Sequence, residues 1–261
     1  MPRSLIWPAA GVAAAIAITA TMDANGLTDF SALPLIGLLV LFWYLQRLSR
    51  TSVGFVWGKA RDYALAIAYP VVVLGAVVAV SIIAGATHTA GTNWTKAVTN
   101  IALVGVSTII VAIVTEEGFF RGWLWASLSK AGKNSTIVLL LTSVAFASWH
   151  ISEVTLAKGY TLPPGQVVLF IVNAAVMGLI WGLLRSISGS VVVASVSHGL
   201  WNGGAYALFG VGPRLGALGV TQLAIFGPEI GVVGLVTNLL FAAVLWRVSR
   251  SRQRVSVPST A

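Results

Sequence analysis

Apolar residues form eight long runs along the 261-residue chain. The runs cover residues 5–22, 33–49, 63–86, 103–129, 136–156, 166–185, 189–209 and 228–248, and Gly, Pro, Asn, Asp or charged residues separate them. A helix that crosses the hydrocarbon core of a bilayer needs about 20 predominantly apolar residues. The pattern therefore predicts an all-α, polytopic membrane protein with about eight transmembrane helices.

The composition supports this class, because 57% of the residues are hydrophobic, only 9% are charged and the mean hydropathy is +0.91. No internal repeat or low-complexity tract divides the chain. We therefore predict a single polytopic transmembrane domain over residues 1–249, followed by a basic, disordered cytoplasmic tail over residues 250–261. The first run is expected to be a retained helix, and a cleaved signal peptide is the alternative.

The formal net charge is +9, from 16 Lys and Arg against 7 Asp and Glu. In a soluble domain this excess would indicate a nucleic-acid partner, but in a membrane protein it is typical of cytoplasmic loops. Alternate connections carry twelve positive residues on one side and three on the other. The charge distribution thus predicts that both termini lie in the cytoplasm and that nucleic acid is not a partner. The expected location is the bacterial plasma membrane. The absence of cysteine excludes a thiolate nucleophile.

A few polar residues interrupt the apolar runs. They are Glu116, Glu117 and Arg121 in the fourth run, His150 in the fifth, and His198 and Asn202 in the seventh. An ionisable group at membrane depth costs at least ~2.5 kcal/mol, so each such group is a candidate functional residue. The alternative is a structural ion pair or a polar contact between helices. Glu117 and Arg121 are four residues apart, and we interpret them as a structural pair that aims Glu116.

Three of these side chains lie at a similar depth. Glu117, His198 and His150 are thirteen or fourteen residues from the cytoplasmic ends of their spans, taken as Lys130, Arg185 and Thr136. At 1.5 Å per residue, each lies roughly 20 Å along its helix. We therefore expect a polar catalytic layer between the fourth, fifth and seventh helices. Phe146 is four residues before His150, so its ring should pack beneath the imidazole.

This set of residues permits two kinds of hydrolytic chemistry. A carboxylate in a desolvated site can act as general base and then as general acid. Glu116 and His150 would then activate a water molecule, while His198 and Asn202 would donate hydrogen bonds to an oxyanion. Alternatively, Glu116, His150 and His198 would hold zinc or another divalent metal, since two histidines and a glutamate form a known catalytic zinc site. The usual helical zinc motif HExxH is missing.

Three short motifs carry a resemblance to a known family. Residues 116–121 read EEGFFR and match EExxxR, residues 146–150 read FASWH and match FxxxH, and residues 198–202 read HGLWN and match HxxxN. In this order, on successive hydrophobic segments, they resemble the motifs of the CPBP family of intramembrane proteases, which comprises CAAX proteases and bacteriocin-processing proteins and is also called the Abi family. The resemblance covers about residues 100–210.

The resemblance implies an eight-helix membrane protease similar to the type II CAAX prenyl endopeptidases, which cleave after a prenylated cysteine. By the motif positions, Glu116 and His150 would activate water, and His198 and Asn202 would bind the oxyanion. The family is described both as metalloproteases and as glutamate-dependent, so a metal stays an open cofactor. The implied partner is a membrane-embedded or lipidated peptide or protein, of CAAX or bacteriocin type.

Two other functions fit the same polar layer. In a non-proteolytic membrane immunity or partner-binding protein, the layer would only hold the helices together. A proton-coupled transporter would also place Glu and His at mid-membrane. A transporter is expected to have discontinuous helices or pseudo-symmetric halves, and the hydrophobic pattern predicts neither.

Overall fold

A computed structural model describes residues 5–159 and 161–255 of the chain. Its first part consists of α1 (Ile6–Ala24), a 3-10 turn (Thr28–Phe30), α2 (Pro34–Gln46), α3 (Arg50–Val53) and α4 (Ala60–Ile83). Pro34 begins α2, where a missing backbone N–H costs nothing. Pro70 lies inside α4 without ending it, as is common in membrane helices.

The middle part carries the three-motif region. It begins with α5 (Trp94–Val114), a π-helical segment (Glu117–Leu124) and α6 (Trp125–Lys130), and continues with α7 (Ser135–Trp149) and α8 (Ile151–Thr155). Asparagine side chains cap both long helices. Asn93 Oδ1 accepts from the backbone N–H of Lys96, and Asn134 Oδ1 accepts from that of Ile137, each at 2.9 Å.

The last part contains α9 (Pro164–Ser188), α10 (Val191–Phe209), a two-stranded antiparallel hairpin of β1 (Gly210–Val211) and β2 (Arg214–Leu215), α11 (Leu223–Phe226) and α12 (Val232–Val255). Gly189 ends α9 in the left-handed conformation that favours glycine, with φ 72°. Ser190 then caps α10 by accepting from the N–H groups of Val192 and Val193.

The described residues contain seven helical segments that are long and apolar enough to cross a membrane. These are Ile6–Ala24, Thr28–Gln46, Ala60–Ile83, Trp94–Lys130, Ser135–Thr155, Pro164–Ser188 and Val232–Arg252. The prediction of an all-α polytopic membrane protein is confirmed. The count differs by one, because α10 is 19 residues long but is not among the seven. Its polar residues, including His198 and Asn202, lower its hydropathy.

Two predicted spans are interrupted, contrary to the hydrophobic pattern. In the fourth, α5 ends at Val114, Thr115 leaves the helical region with φ −105° and ψ −106°, and the π-helical segment follows. In the fifth, α7 ends at Trp149, and His150 joins it to α8. Both breaks fall beside candidate functional residues. Hydropathy records how apolar a segment is, not whether its hydrogen bonding is continuous, so it could not reveal them.

Some boundaries and roles also differ from the sequence prediction. The fourth span begins at Trp94 rather than at residue 103, and α12 continues to Val255. Residues 250–255, assigned to a disordered tail, are therefore helical. Arg252 Nη1 lies 2.8 Å from Asp62 Oδ1 and joins this extension to α4. The rest of the predicted tail, 256–261, lies outside the described residues.

Arg185, whose charge is predicted from the sequence to lie in a cytoplasmic connection, is instead a buried structural residue with 6% exposure. Its Nε donates to the backbone oxygen of Arg121 at 3.1 Å, and its Nη2 donates to that of Ser52 at 3.0 Å. These bonds join α9 to α3 and to the π-helical segment. The guanidinium of Arg185 therefore connects three segments of the bundle through hydrogen bonds.

Small residues allow α5 and α10 to approach closely. A Cβ atom on Gly199 would lie 2.5 Å from the backbone oxygen of Gly105, and one on Gly203 would lie 2.5 Å from that of Ile101. Real Cβ atoms do not come this close to backbone oxygen, so larger side chains would push the helices apart. This contact places His198, on α10, beside the residues that follow α5.

Candidate active site

Glu116 lies where the fourth span is interrupted, directly after the non-helical Thr115. Its Oε2 atom is 3.8 Å from Nε2 of His150 and 3.9 Å from Nε2 of His198. The side chains of Glu116 and His150 are 17% and 13% exposed, whereas that of His198 is 4% exposed. The structure thus brings these three predicted residues together from three helical segments and leaves Glu116 accessible.

The imidazole of His150 is oriented by its own helix. Its Nδ1 lies 2.9 Å from the backbone oxygen of Phe146, one turn earlier. A carbonyl oxygen only accepts, so Nδ1 carries the proton and Nε2 of the neutral ring is an acceptor that faces Glu116. The Phe146 ring lies against the imidazole, with centroids 4.3 Å apart, as the i,i+4 spacing predicts.

His198 is held from two directions. Its Nδ1 is 3.1 Å from Oε1 of Glu117, and its ring stacks on Trp181 of α9, with centroids 4.0 Å apart and an interplanar angle of 14°. An ionised Glu117 accepts only, so the proton again lies on Nδ1, and Nε2 is directed at Glu116. The two histidines therefore present equivalent nitrogen atoms to one carboxylate.

Glu117 and Arg121 form the predicted ion pair, with Arg121 Nη1 3.2 Å from Glu117 Oε1 and both side chains fully buried. Arg121 also donates to the backbone oxygen of Gly178 at 3.1 Å, and its guanidinium lies 4.2 Å from the centroid of Phe146. The pair therefore joins the π-helical segment to α7 and α9. The contact of Glu117 with His198 was not predicted, although their common depth indicated it.

Asn202 is the predicted site residue that the structure does not bring into contact with the others. It lies one turn beyond His198 on α10, is half-buried, and makes no side-chain hydrogen bond within residues 5–159 and 161–255. Its amide is thus free to donate. Its neighbour Trp201 is fully buried and donates from Nε1 to Oε1 of Glu229 at 2.9 Å.

Sequence reasoning missed Glu229, which is the second residue of the predicted run 228–248 but stands before α12 in the structure. A buried chain of hydrogen bonds holds its backbone in place. Asn173 Nδ2 donates to the backbone oxygen atoms of Pro228 and Glu229, at 2.8 and 3.0 Å. Asn238 Nδ2 donates to Asn173 Oδ1 at 2.9 Å, and Tyr69 Oη donates to Asn238 Oδ1 at 2.7 Å. The sequence did contain a signal for this network, because Asn173 and Asn238 are polar residues inside apolar spans and Glu229 stands at the start of the last one.

A cleft of about 450 Å³ lies next to this layer. Its lining includes Glu153 of α8, Phe170 of α9, Phe209 of α10 and Glu229. Phe170 also contacts His150, with ring centroids 6.1 Å apart. The cleft therefore adjoins the histidine side of the site and provides room for a segment of peptide.

Glu116, His150 and His198 are the candidate ligands for a metal ion. Within residues 5–159 and 161–255, no group of three or more His, Asp and Glu side chains is placed to bind one. The metalloprotease interpretation is therefore not supported by the arrangement of the donors, and no step below is assigned to a metal.

The fold and the site together define a polytopic membrane protein with a carboxylate and two histidines inside the helical bundle, which fits the resemblance to intramembrane proteases that the three motifs carry. Comparison with known families agrees, because residues 98–204 match the model of the type II CAAX prenyl endopeptidase Rce1-like family. This region contains all three motifs and is similar to the Rce1-like type II CAAX prenyl endopeptidase family. No curated protein matches the sequence.

Proposed function

We propose that this protein is an intramembrane endopeptidase that hydrolyses a peptide bond by water attack, without a covalent enzyme intermediate. The observation that carries the proposal is the position of Glu116 Oε2, 3.8 Å from His150 Nε2 and 3.9 Å from His198 Nε2. These separations exceed a direct hydrogen bond and match groups bridged by one water molecule.

The hydrogen bonds around the histidines support the role of Glu116 and His150 in water activation. With its proton on Nδ1, His150 accepts at Nε2, and the Glu116 carboxylate also accepts. A bound water would donate one O–H group to each, which directs an oxygen lone pair toward a substrate carbonyl carbon. General-base catalysis of this kind contributes typically 10²–10⁴-fold.

In the proposed reaction, Glu116 takes the proton of the water as its oxygen bonds to the carbonyl carbon. The oxyanion accepts hydrogen bonds from the Asn202 amide and from His198. Because Glu117 engages Nδ1 of His198, that ring donates from Nε2 only as an imidazolium. Glu116 then delivers its proton to the leaving nitrogen, the C–N bond breaks, and a carboxylic acid and an amine are released.

The proposed substrate is a membrane-associated peptide or protein, prenylated at a CAAX-type terminus or of the bacteriocin type. The family match supports a CAAX-type substrate in general. The proposed location is the bacterial plasma membrane. The proposed orientation, with both termini in the cytoplasm, rests on the distribution of Lys and Arg over alternate connections.

The experiment compares purified wild type with Glu116→Gln, a nearly isosteric variant that removes the base, in cleavage of a membrane-associated peptide. The expected result is a loss of at least about 100-fold in kcat/KM with an unchanged melting temperature. Asp62→Asn is the matched control, since it removes a carboxylate that contacts Arg252 instead of the site. Unchanged cleavage by Glu116→Gln would contradict the proposal.

A second variant, His150→Ala, is used together with Glu116→Gln to distinguish proteolysis from a non-proteolytic immunity function. If Glu116→Gln and His150→Ala both retained full biological function, the polar layer would be structural and the protein would be a non-proteolytic partner-binding protein. Loss of function in both, together with loss of cleavage, supports the protease.

A further inference from the structure

Glu229 stands within reach of the proposed catalytic residues. Its Oε1 accepts from Trp201 Nε1 at 2.9 Å, and Trp201 lies between His198 and Asn202 on α10. Its carboxylate interacts electrostatically with both His198 and Glu116. The backbone of Glu229 is fixed by Asn173, as described above. Glu229 is therefore a rigidly held acidic residue at the boundary between the site and the cleft.

Glu153 approaches the same cleft from α8, one turn after His150. Its side chain is half-buried and makes no hydrogen bond or ion pair with any part of the chain that the structure describes. Glu153 and Glu229 both line this cleft, so the cleft presents two acidic groups to any occupant. A cation bound between two carboxylates would be stabilised by both of them.

The cleft supplies no such cation from within. Lys158 and Arg214 line it, but both are exposed, and in the described ranges neither forms an ion pair with Glu153 or Glu229. Burial raises the pKa of the Glu229 carboxyl, and the hydrogen bond from Trp201 offsets this only in part. A bound positive group would relieve the desolvation of both carboxylates. Phe170 and Phe209 provide an apolar wall on which the stem of such a group can pack.

We propose that Glu229 and Glu153 form a specificity subsite for a Lys or Arg side chain of the substrate, next to the scissile bond. The proposal rests on the proposed peptidase function. The cleft accepts a peptide segment whose cationic head lies between the two carboxylates and whose aliphatic stem contacts the phenylalanine rings. Glu229 determines the preference more strongly than Glu153, because its network holds it in one position.

The test uses membrane-associated peptides that carry Lys, Gln or Glu at one varied position. Each of the three residues on either side of the scissile bond is varied in turn. For wild type, kcat/KM is expected to favour Lys over Gln by about tenfold at one position, the size of one charge-assisted contact. Glu229→Gln, which retains an acceptor for Trp201, should reduce that ratio to near one. Glu229→Lys should reverse the preference toward Glu.

Asp62→Asn serves as the control for net charge and should retain the preference for Lys. The proposal is overturned if wild type cleaves the Lys and Gln peptides within twofold of each other at every position. It is also overturned if the preference survives both Glu229→Gln and Glu153→Gln.

A binding measurement distinguishes failure of this subsite from failure of the peptidase function. Binding of the same fluorescent peptides is measured in the Glu116→Gln background, with and without Glu229→Gln. Tighter binding of the Lys peptide that depends on Glu229 supports the subsite even where wild type does not cleave. If cleavage depends on Glu116 but shows no preference for a charged residue, the subsite is refuted while the peptidase function is not.

Discussion

Oε1 of Glu117 lies 3.1 Å from Nδ1 of His198, a residue 81 positions later in the chain. The same oxygen receives Arg121 Nη1 at 3.2 Å. One buried carboxylate therefore both neutralises an arginine and determines which nitrogen of His198 faces Glu116. The two adjacent glutamates differ in their surroundings, since Glu116 is 17% exposed near both histidines whereas Glu117 is fully buried against His198 and Arg121.

Replacing Glu117 by Gln should lower kcat while leaving KM close to that of wild type. The amide no longer provides a charged acceptor for His198, so the imidazole loses its fixed tautomer and orientation. Displacement of a catalytic group by about 1 Å can cost on the order of 100-fold in rate. Steady-state kinetics on one peptide would measure the change. A raised KM with an unchanged kcat would show that Glu117 acts on substrate binding instead.

Replacing Arg121 by Ala should destabilise the protein by about 3–5 kcal/mol, because an uncompensated carboxylate would remain buried. The variant also loses the bond to Gly178 and the contact with Phe146. Denaturant unfolding in detergent measures the difference. The control is Arg61→Ala, whose side chain is 66% exposed and should change stability by less than about 0.5 kcal/mol. Equal stability of the two variants would contradict a structural role for Arg121.

Replacing Gly203 by Ala should disturb the contact between α5 and α10. The new methyl group would lie 2.5 Å from the backbone oxygen of Ile101, so the helices must separate, at a cost of about 1–3 kcal/mol. Activity should fall too, because this contact sets the distance between Glu116 and His198. Gly75→Ala is the matched control, since its Cβ would meet nothing within 4 Å. Melting temperature and cleavage rate are measured on both variants, and a silent Gly203→Ala would argue against the close contact.

Replacing Tyr69 by Phe should leave Asn238 Oδ1 buried without its donor. The expected cost is about 1–3 kcal/mol, the penalty of an unsatisfied buried polar group. Tyr44→Phe removes the same hydroxyl from a residue that is 80% exposed and should be neutral. Thermal unfolding compares the two. If the hydrogen-bond chain also positions Glu229, Tyr69→Phe should in addition weaken the preference for Lys substrates.

The sequence predicted the members of the site better than their arrangement. Glu116, His150 and His198 were singled out because ionisable residues are costly in apolar segments, and the common depth of Glu117, His150 and His198 predicted one polar layer. The contact between Glu117 and His198 was missed, because helical spacing relates residues on one helix and says nothing about rotation between helices. Asn202 lies one turn beyond His198 on α10, and its role in binding an oxyanion stays a prediction.

The sequence by itself determined the all-α membrane class, the helices that carry the polar residues and the family of the central region. It could do so because each span is recognised by its own apolar composition, and because motif residues are local in the chain. Only the tertiary structure decided where the helices break, at Thr115 and His150, and how Glu229 reaches the site. These features depend on close packing and on hydrogen bonds between segments far apart in sequence, which the apolar pattern of a single segment does not contain.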